Sequence, residues 1–411
     1  MKQGVLVVAI FFSLVAFACG FVGVAGALMV TQPAAKGSTA QVRFQVLVGD
    51  STAAVANRLQ AQGLIRNATV FRQLARYRKL DTKLEPGVYT LSPSMTMDAI
   101  IQSLLVGQPD EQLIAIPPGH RVTEYPAYFT ALPKFNAKTF IQSATTGVLP
   151  DGTKLSDTFW YLPPKAGNAA FALEGYLFPD TYYFNTGDTD SAVIKRLLSA
   201  VGEQLCPGPD ATHLDAYLHD QTQCKAHAVQ VGPNKTSVFT EMEKRFSTSN
   251  DTQALYQTLT LASIVVREAG KNADDIPGVA NVYFNRYALK DNGYVTPQGD
   301  TIVSLDADPT AQYARDTDAP PADGKWWVAL ADSAKNVDPG NPYNTANPDN
   351  KGLPPGPIAA PRWDDIRYVA SAGEPPSPYY YFFHDPCGHA HYAKTNVEQS
   401  TNINTFGNIK C

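Results

Sequence analysis

The sequence has few charged side chains, 17% of its 411 residues, and no excess of basic ones. Lysine and arginine number 33 against 38 acidic residues, so the formal net charge is -5. Because nucleic acid needs clustered positive charge, it is excluded as an expected partner. The 44% of hydrophobic residues argues against disorder, and the 29 glycines and 31 prolines follow no fixed period. This composition predicts a folded chain of two or more domains with long ordered loops.

The start of the chain also lacks charge, because no charged side chain occurs between Lys2 and Lys36. A membrane-spanning helix needs roughly 20 apolar residues, whereas the apolar part of a signal peptide has about 7 to 15. The length favours an uncleaved transmembrane anchor over residues 1–30. Cleavage near Ala25–Ala27 and lipidation of Cys19 are the alternatives. With Lys2 as the only positive flank, we expect a single-pass protein whose larger part lies outside.

Cysteine is scarce, with five in the chain, and four of them follow the predicted anchor. An even number in an exported chain is typical of disulfides. Pairs of sequence neighbours, Cys206 with Cys224 and Cys387 with Cys411, would close two short loops. Four cysteines allow three pairings, and free buried thiols are a further alternative.

Apolar periodicity predicts an α+β fold. The pattern of strand, helix, helix and strand at Val42–Val48, Ala53–Gln62, Ala68–Tyr77 and Pro86–Leu91 predicts a compact module, followed by a helix at Met97–Val106. The predicted parts, in chain order, are the anchor 1–30, a linker 31–41, the small module 42–110, an intermediate region 111–251 with an insertion at 207–250, and a main domain 252–411 onto which 171–187 packs.

One acidic residue is aimed at the core of the main domain. Glu268 falls on the same helical face as Leu261, Ile264 and Val265. Burial beside aliphatic groups raises the pKa of a carboxyl, which then donates a proton near neutral pH. The alternative is a structural glutamate at a helix end, paired with an arginine such as Arg286.

Five strings of residues extend over nearly the whole chain in a specific order, and together they resemble the YceG-like family of endolytic murein transglycosylases. The strings are LEGYLFPDTY at Leu173–Tyr182, LASIVVRE at Leu261–Glu268, VANVYFNR at Val279–Arg286, LDADPT at Leu305–Thr310, and YNT at Tyr343–Thr345 with GLPPGPI at Gly352–Ile358. The resemblance implies an amino-terminal transmembrane helix, a LysM-like glycan-binding module of βααβ form, and a larger α+β catalytic domain.

The resemblance also implies a lyase of bacterial peptidoglycan. Such an enzyme cleaves the bond between N-acetylmuramic acid and N-acetylglucosamine in nascent glycan strands and leaves 1,6-anhydromuramic ends, which would terminate strand elongation. The family's catalytic glutamate corresponds to Glu268, which would act first as acid and then as base without a cofactor. Many relatives carry a second acid where this chain has Val266, a departure that should raise the pKa of Glu268 further.

Substrate contacts are expected from loops that offer flat rings, amides and hydroxyls. By resemblance, the candidate substrate-binding residues share positions in the family's strings or its cleft: Ser263, Asp308, Thr310, Tyr343, Asn344, Thr345 and His391. Asn-Thr and Pro-Pro-Gly segments are also common structural turns, and Glu174 is expected to have a structural role.

Three of the seven histidines and an aspartate lie within His384–His391. His389 and His391 would share a face of a strand, and His384 or Asp385 could complete a three-ligand zinc site. The resemblance instead implies a metal-free enzyme. Two alternative functions therefore stay open, namely an inactive glycan-binding scaffold and a zinc-dependent hydrolase using this cluster.

The partners implied by the resemblance are peptidoglycan glycan strands, the cytoplasmic membrane through the amino-terminal helix, and peptidoglycan synthases as further candidates. The implied location is the bacterial cytoplasmic membrane, crossed once, with the catalytic part on its outer side.

Overall fold

The structure is a computed structural model that describes residues 31–47, 49–80, 83–106, 111–164, 169–207, 219–269, 272–331, 333–371 and 377–411. Close approaches between Cα atoms divide the chain into two compact units. The first contains the described residues up to Ile114 with Ala131–Lys134 and Thr181–Asp188. The second contains the described residues of Ala115–Thr130, Phe135–Asp180 and Thr189–Cys411. Helices and strands occur in both units, which confirms the predicted mixture of α and β structure.

The first unit is a four-stranded sheet with three helices. Its elements are β1 (Val42–Val46), α1 (Thr52–Ala61), α2 (Ala68–Tyr77), β2 (Gly87–Leu91), α3 (Met97–Val106), β3 (Glu111–Ala115) and β4 (Thr181–Asn185). The strands lie in the order β1-β2-β3-β4, with β2 antiparallel to both β1 and β3. The predicted succession of strand, two helices, strand and third helix is confirmed.

Side-chain caps and one apolar core explain why these helices form. The Ser51 hydroxyl accepts a hydrogen bond from the amide of Ala54 at the start of α1, and the Asn67 side chain caps α2 in the same way. Apolar residues of the strands and helices, all nearly inaccessible to solvent, form the core: Phe44, Val55, Leu59, Phe71, Leu91, Ile100 and Leu104. The module therefore has a hydrophobic core of its own.

The second unit is mainly helical. Its α-helices are α4 (Ala137–Thr146), α5 (Leu155–Thr158), α6 (Asp190–Leu205), α7 (Gln221–Ala226), α8 (Val238–Phe246), α9 (Asp251–Glu268), α10 (Ile276–Ala288), α11 (Asp308–Asp318), α12 (Trp363–Ala370) and α13 (Asn396–Phe406). Two short hairpins pair β5 (Gln230–Val231) with β6 (Thr236–Ser237) and β7 (Tyr381–His384) with β8 (Ala390–Ala393). Short 3-10 helices lie at Val122–Phe129, Ala273–Asp275, Leu289–Asn292 and Ala334–Asn336.

Helix α9 is the centre of this unit. It contacts α8, α10, α11 and α12, and its residues Leu255, Leu259 and Ile264 are fully buried. Asn250 caps its amino end by accepting a hydrogen bond from the amide of Gln253 at 2.9 Å. A helix that is apolar on most sides needs neighbours on most sides. Its final residue, Glu268, is thereby held at the edge of a rigid core.

The carboxyl-terminal hairpin packs on α13 and against α10. A Cβ atom on Gly278 would lie 2.1 Å from the hydroxyl oxygen of Tyr392, so only glycine permits this close approach. The disulfides Cys206–Cys224 and Cys387–Cys411 are both present, which confirms the pairing of sequence neighbours.

Several predicted regions can be compared with these elements. The predicted insertion 207–250 contains α7, β5, β6 and α8, while residues 208–218 lie outside the described residues. The predicted segment 171–187 is divided at Asp180, because Thr181–Asp188 belongs to the first unit.

The predicted location is corrected. From residue 31 onward, wherever the structure describes the chain, no helix combines the length and apolar composition that crossing a membrane requires. This finding contradicts the prediction of a single-pass membrane protein, which rested on residues 1–30. The predicted anchor itself lies outside the described residues.

Candidate active site

Glu268 ends α9 with its side chain only partly buried, whereas Leu261, Ile264 and Val265 on the same face are fully buried. Removal of the carboxyl from water raises its pKa from 4.5 to about 7. The rise predicted from the apolar face of the helix is thus confirmed. At neutral pH this carboxyl is present in both protonation states.

Four neighbouring groups adjust the Glu268 carboxyl further. The buried Tyr283 of α10 donates a hydrogen bond to it, which stabilises the carboxylate and lowers the pKa of Glu268. The negative charges of Asp308 and Asp306 raise that pKa, and the positive charge of Arg286 lowers it. Partial removal from water and the charge of Asp306 also raise the pKa of Asp308, although its side chain stays exposed. The charges of two aspartates therefore act on the Glu268 carboxyl at the end of α9.

Arg286 acts on Glu268 through its charge while its hydrogen bonds go elsewhere. Its Nε donates to the carbonyl oxygen of Tyr380 at 2.8 Å, and its Nη1 donates to that of Leu305 at 2.6 Å. These bonds join α10 to the residue that precedes β7 and to the loop before α11. The simple ion pair considered from the sequence is thus replaced by an arginine that positions two backbone segments around the site.

The Asp306–Asp308 turn is held by two buried threonines. Asp306 has a φ of 51°, in the left-handed region that side chains rarely adopt. The Thr345 carbonyl accepts from the amide of Asp306 at 3.1 Å, and the Thr310 and Thr345 hydroxyls lie 2.8 Å apart. Asp306 and Asp308 are exposed, whereas both threonines are inaccessible to solvent. The buried hydroxyls therefore present two carboxylates beside Glu268.

Three other residues predicted to bind substrate are also buried. The Tyr343 hydroxyl accepts from the amide of Ala170 at 3.2 Å, and the Ser263 hydroxyl accepts from that of Ile358 at 3.0 Å. The Asn344 amide donates to backbone carbonyls of the preceding loop. The Ser263 contact fixes the loop 352–358 against α9, and the other contacts hold Tyr343 and Asn344 to neighbouring loops. Of the residues predicted to bind substrate, Asp308 is the one placed in the open beside Glu268.

His391 lies in the carboxyl-terminal hairpin. Its Nε2 is 2.8 Å from a carboxylate oxygen of Asp385, and its ring stacks on Phe406 with the centroids 4.1 Å apart. The hydrogen bond from His391 lowers the pKa of Asp385 to about 2. The histidine thus joins α13 to the turn of the hairpin.

Of the residues predicted as zinc ligands, His389 and His391 both approach Asp385, with Nδ1 of His389 3.4 Å and Nε2 of His391 2.8 Å from its Oδ2. Within the described parts of the chain, the acidic, cysteine and histidine groups with ligand atoms close enough for one metal are Asp385, Cys387 and His389. The Cys387 sulfur is bonded to Cys411 and offers no thiolate. His384 turns away, with its Nε2 3.5 Å from Asp275. A tetrahedral site of the predicted histidines is not assembled here.

Reasoning from sequence missed Tyr283 and Asp306 at this site, although both lie within the strings that it singled out. Tyr283 is three residues before Arg286 on one helix, and Asp306 is two residues before Asp308. The helical spacing and the alternating aspartates were the available signals.

An acid of raised pKa at the end of a buried helix, with a tyrosine donor and two exposed carboxylates beside it, has the form of a general acid–base centre. The chain belongs to the YceG-like family, whose model matches residues 44–405. The family predicted from the sequence is therefore confirmed.

Curated relatives are similar over most of the chain. The endolytic murein transglycosylase of Bacillus subtilis strain 168 is 26% identical over 377 residues, which cover 90% of this chain and 86% of that protein. The protein of the same name from Streptococcus pneumoniae serotype 2 is 25% identical over 388 residues, covering 88% of this chain and 58% of that longer protein. The enzyme class predicted from the sequence agrees with these names.

A solved structure shares the fold. The crystal structure of a YceG-like protein from Listeria monocytogenes matches with a TM-score of 0.53 at 22% sequence identity. The match covers 89% of this chain and 99% of that one.

Proposed function

We propose that the protein is an endolytic peptidoglycan transglycosylase, which cleaves bonds between N-acetylmuramic acid and N-acetylglucosamine inside glycan strands. The observation that carries the proposal is Glu268, a partly exposed carboxyl whose pKa is raised by burial to about 7. A group that must first donate and then accept a proton works best with a pKa near the working pH. The names of the curated relatives support the same activity.

The proposed reaction needs a single acid–base residue. The Glu268 carboxyl donates its proton to the glycosidic oxygen, and the bond from that oxygen to the muramic anomeric carbon breaks. The 6-hydroxyl oxygen of the same muramic residue then bonds to the anomeric carbon, and its proton passes to the Glu268 carboxylate. The products are a 1,6-anhydromuramic end and a free hydroxyl on N-acetylglucosamine, and Glu268 is again protonated.

The transition state carries positive charge on the sugar ring, as in other glycoside cleavages. Asp308 and Asp306 are exposed carboxyl groups whose charges reach Glu268. We assign them to stabilisation of this developing charge, and Asp308 in addition to contact with substrate. Tyr283 orients the Glu268 carboxyl through its hydrogen bond.

The buried residues of the predicted substrate set have supporting roles in this proposal. Thr310 and Thr345 shape the turn that carries Asp308, and Asn344 fixes the loop beside it. Direct contact of these residues, or of Tyr343, Ser263 and His391, with the sugar stays a prediction.

The division of the chain into a LysM-like module at 42–110, an intermediate region 111–251 and a catalytic region 252–411 is part of the same proposal. The small module, which has its own core, would bind glycan, as the resemblance to a LysM-like module implies. Termination of strand elongation and association with peptidoglycan synthases complete the proposed function.

The test compares the intact chain with its Glu268→Gln variant on uncrosslinked glycan strands, with products identified by mass spectrometry. We expect the parent protein to produce internal 1,6-anhydromuramic ends and Glu268→Gln to produce none. Glu243→Gln is the matched control, because Glu243 is also a partly exposed glutamate on a helix of the second unit. The control should cleave as the parent does.

Other outcomes would overturn the proposal. Hydrolysed reducing ends whose formation stops with a chelator would indicate the zinc hydrolase. Binding of strands without any products would indicate the inactive scaffold.

A further inference from the structure

Two adjacent tryptophans stand in the irregular segment that follows α11. Trp326 and Trp327 are both partly exposed, and each lies against the guanidinium of an arginine. The Cζ atom of Arg121 is 4.4 Å from the ring centroid of Trp326, and that of Arg267 is 4.1 Å from Trp327. Cation–π contacts of this kind hold an indole in a fixed orientation.

The backbone of this segment is fixed at a strained position. Trp327 has a φ of 63°, which is unusual for a bulky residue. Its amide donates to a carboxylate oxygen of Asp316 at 3.1 Å, and its indole Nε1 donates to Glu124 at 3.0 Å. Strain that neighbouring contacts maintain is frequent at ligand-binding positions.

The two arginines have hydrogen-bonding capacity that the described residues do not use. Arg121 is only 1% exposed and its Nη2 donates to Thr317 at 2.7 Å, yet its Nε and Nη1 find no acceptor in the described part of the chain. The Nε of Arg267 is likewise buried and has no acceptor among the described residues. Buried charged donors without acceptors are costly, and a ligand oxygen would satisfy them.

This group lies next to the candidate catalytic residue. Arg267 directly precedes Glu268, so their Cα atoms are about 3.8 Å apart. Burial lowers the pKa of the Arg267 guanidinium, while the charges of Glu124 and Glu268 raise it. Arg267, which packs against Trp327, therefore lies within range of the Glu268 charge.

We propose that Trp326, Trp327, Arg121 and Arg267 form a binding site for a sugar residue that carries an acidic or acyl substituent. The inference rests on the proposed function, and the lactyl group of muramic acid in a glycan strand has this chemistry. Flat indole faces pack against the C–H groups of a pyranose ring, and guanidinium N–H groups donate to carboxylate or carbonyl oxygens. The site would select the substituted sugar beside the cleaved bond.

The test measures binding without cleavage. In the Glu268→Gln background, calorimetry compares uncrosslinked glycan strands with N-acetylglucosamine oligomers of equal length, which lack the lactyl group. Trp326→Leu should weaken binding of both ligands roughly fivefold to tenfold, and Trp326→Phe, which keeps a flat ring, should retain most of the affinity. Arg267→Gln should weaken binding of the glycan strands more than binding of the N-acetylglucosamine oligomers, because only the strands lose a partner for the lactyl group. Trp363→Phe, a change at a partly exposed tryptophan on α12, is the control.

The outcomes separate this site from the proposed function. Equal binding by Trp326→Leu and the parent would overturn the site, as would equal losses in the leucine and phenylalanine variants, which would indicate a distorted segment. Equal losses of both ligands in Arg267→Gln would overturn recognition of the substituent. The parent chain's cleavage of glycan strands, measured separately, tests the function, so either idea can fail alone.

Discussion

Replacement of Glu268 by glutamine should stabilise the second unit at alkaline pH and change its stability little in acid. Burial raises the pKa of Glu268 from 4.5 to about 7. Its contribution to stability is therefore fully present below the unfolded pKa and is lost as the pH rises through the folded value. Glutamine stays neutral at every pH and avoids this loss.

The size of this stability difference follows from the shift in the pKa of Glu268. A change from 4.5 to about 7 corresponds to about 3 kcal/mol of lost stability at pH 8. Because the Glu268 side chain is partly exposed, solvent screening reduces the expected gain in Glu268→Gln to about 2 kcal/mol. At pH 4.5 the same relation predicts that Glu268→Gln gains less than about 0.5 kcal/mol of stability.

The assay is urea unfolding at pH 4.5 and pH 8, followed by intrinsic fluorescence. All four tryptophans lie in the second unit, so the signal reports on the part that contains Glu268. Glu243→Gln serves as the control and should alter stability by similar amounts at the two pH values. If Glu268→Gln also gives equal changes at both, the carboxyl ionises as it would in water, and the reasoning that makes it an acid–base residue is refuted.

Three further predictions concern the site and the fold. Asp308→Asn removes a charge that raises the pKa of Glu268, so the alkaline fall in cleavage rate should move to lower pH; an unmoved profile would contradict the charge coupling. Tyr283→Phe removes the hydrogen bond that lowers the same pKa, so that fall should move to higher pH while the maximal rate drops roughly tenfold, as a pH-rate series would show. Changing Cys206 and Cys224 to alanine opens a loop with a sequence separation of 18 and should cost about 3 kcal/mol in urea unfolding, whereas an unchanged midpoint would show that the disulfide is dispensable.

Elements with strong local patterns were predictable from the sequence. The helices Ala68–Tyr77 and Met97–Val106 have the predicted bounds, because caps and helical periodicity are encoded within each segment. The apolar helix face that contains Glu268 is also visible in neighbouring residues of the sequence, so the direction of the pKa shift of Glu268 could be inferred. The disulfide pairing could also be predicted, because the bonded cysteines are close in the sequence, 18 and 24 residues apart.

Tertiary contacts between distant segments were not predictable in the same way. Asn344 and Thr345 have the residue types of a sugar site, yet their polar atoms bond to backbone or to Thr310 in the interior. Nothing in residue type alone tells whether a hydroxyl faces substrate or a neighbouring loop. The contact between Trp327 and Arg267 joins positions 60 residues apart, and no local pattern indicates it.

The balance of charges around Glu268 explains how one carboxyl could serve both steps of the proposed reaction. Burial and the two aspartates favour its protonated form, whereas Tyr283 and Arg286 favour the ionised form. Without Tyr283 and Arg286 the acid would be too weak to protonate a glycosidic oxygen readily, and without burial and the aspartates it would be ionised before the reaction began. Because these opposing effects hold the pKa at about 7, the difference in free energy between the two states is small near neutral pH. A residue that must alternate between acid and base within one catalytic cycle benefits from that small difference.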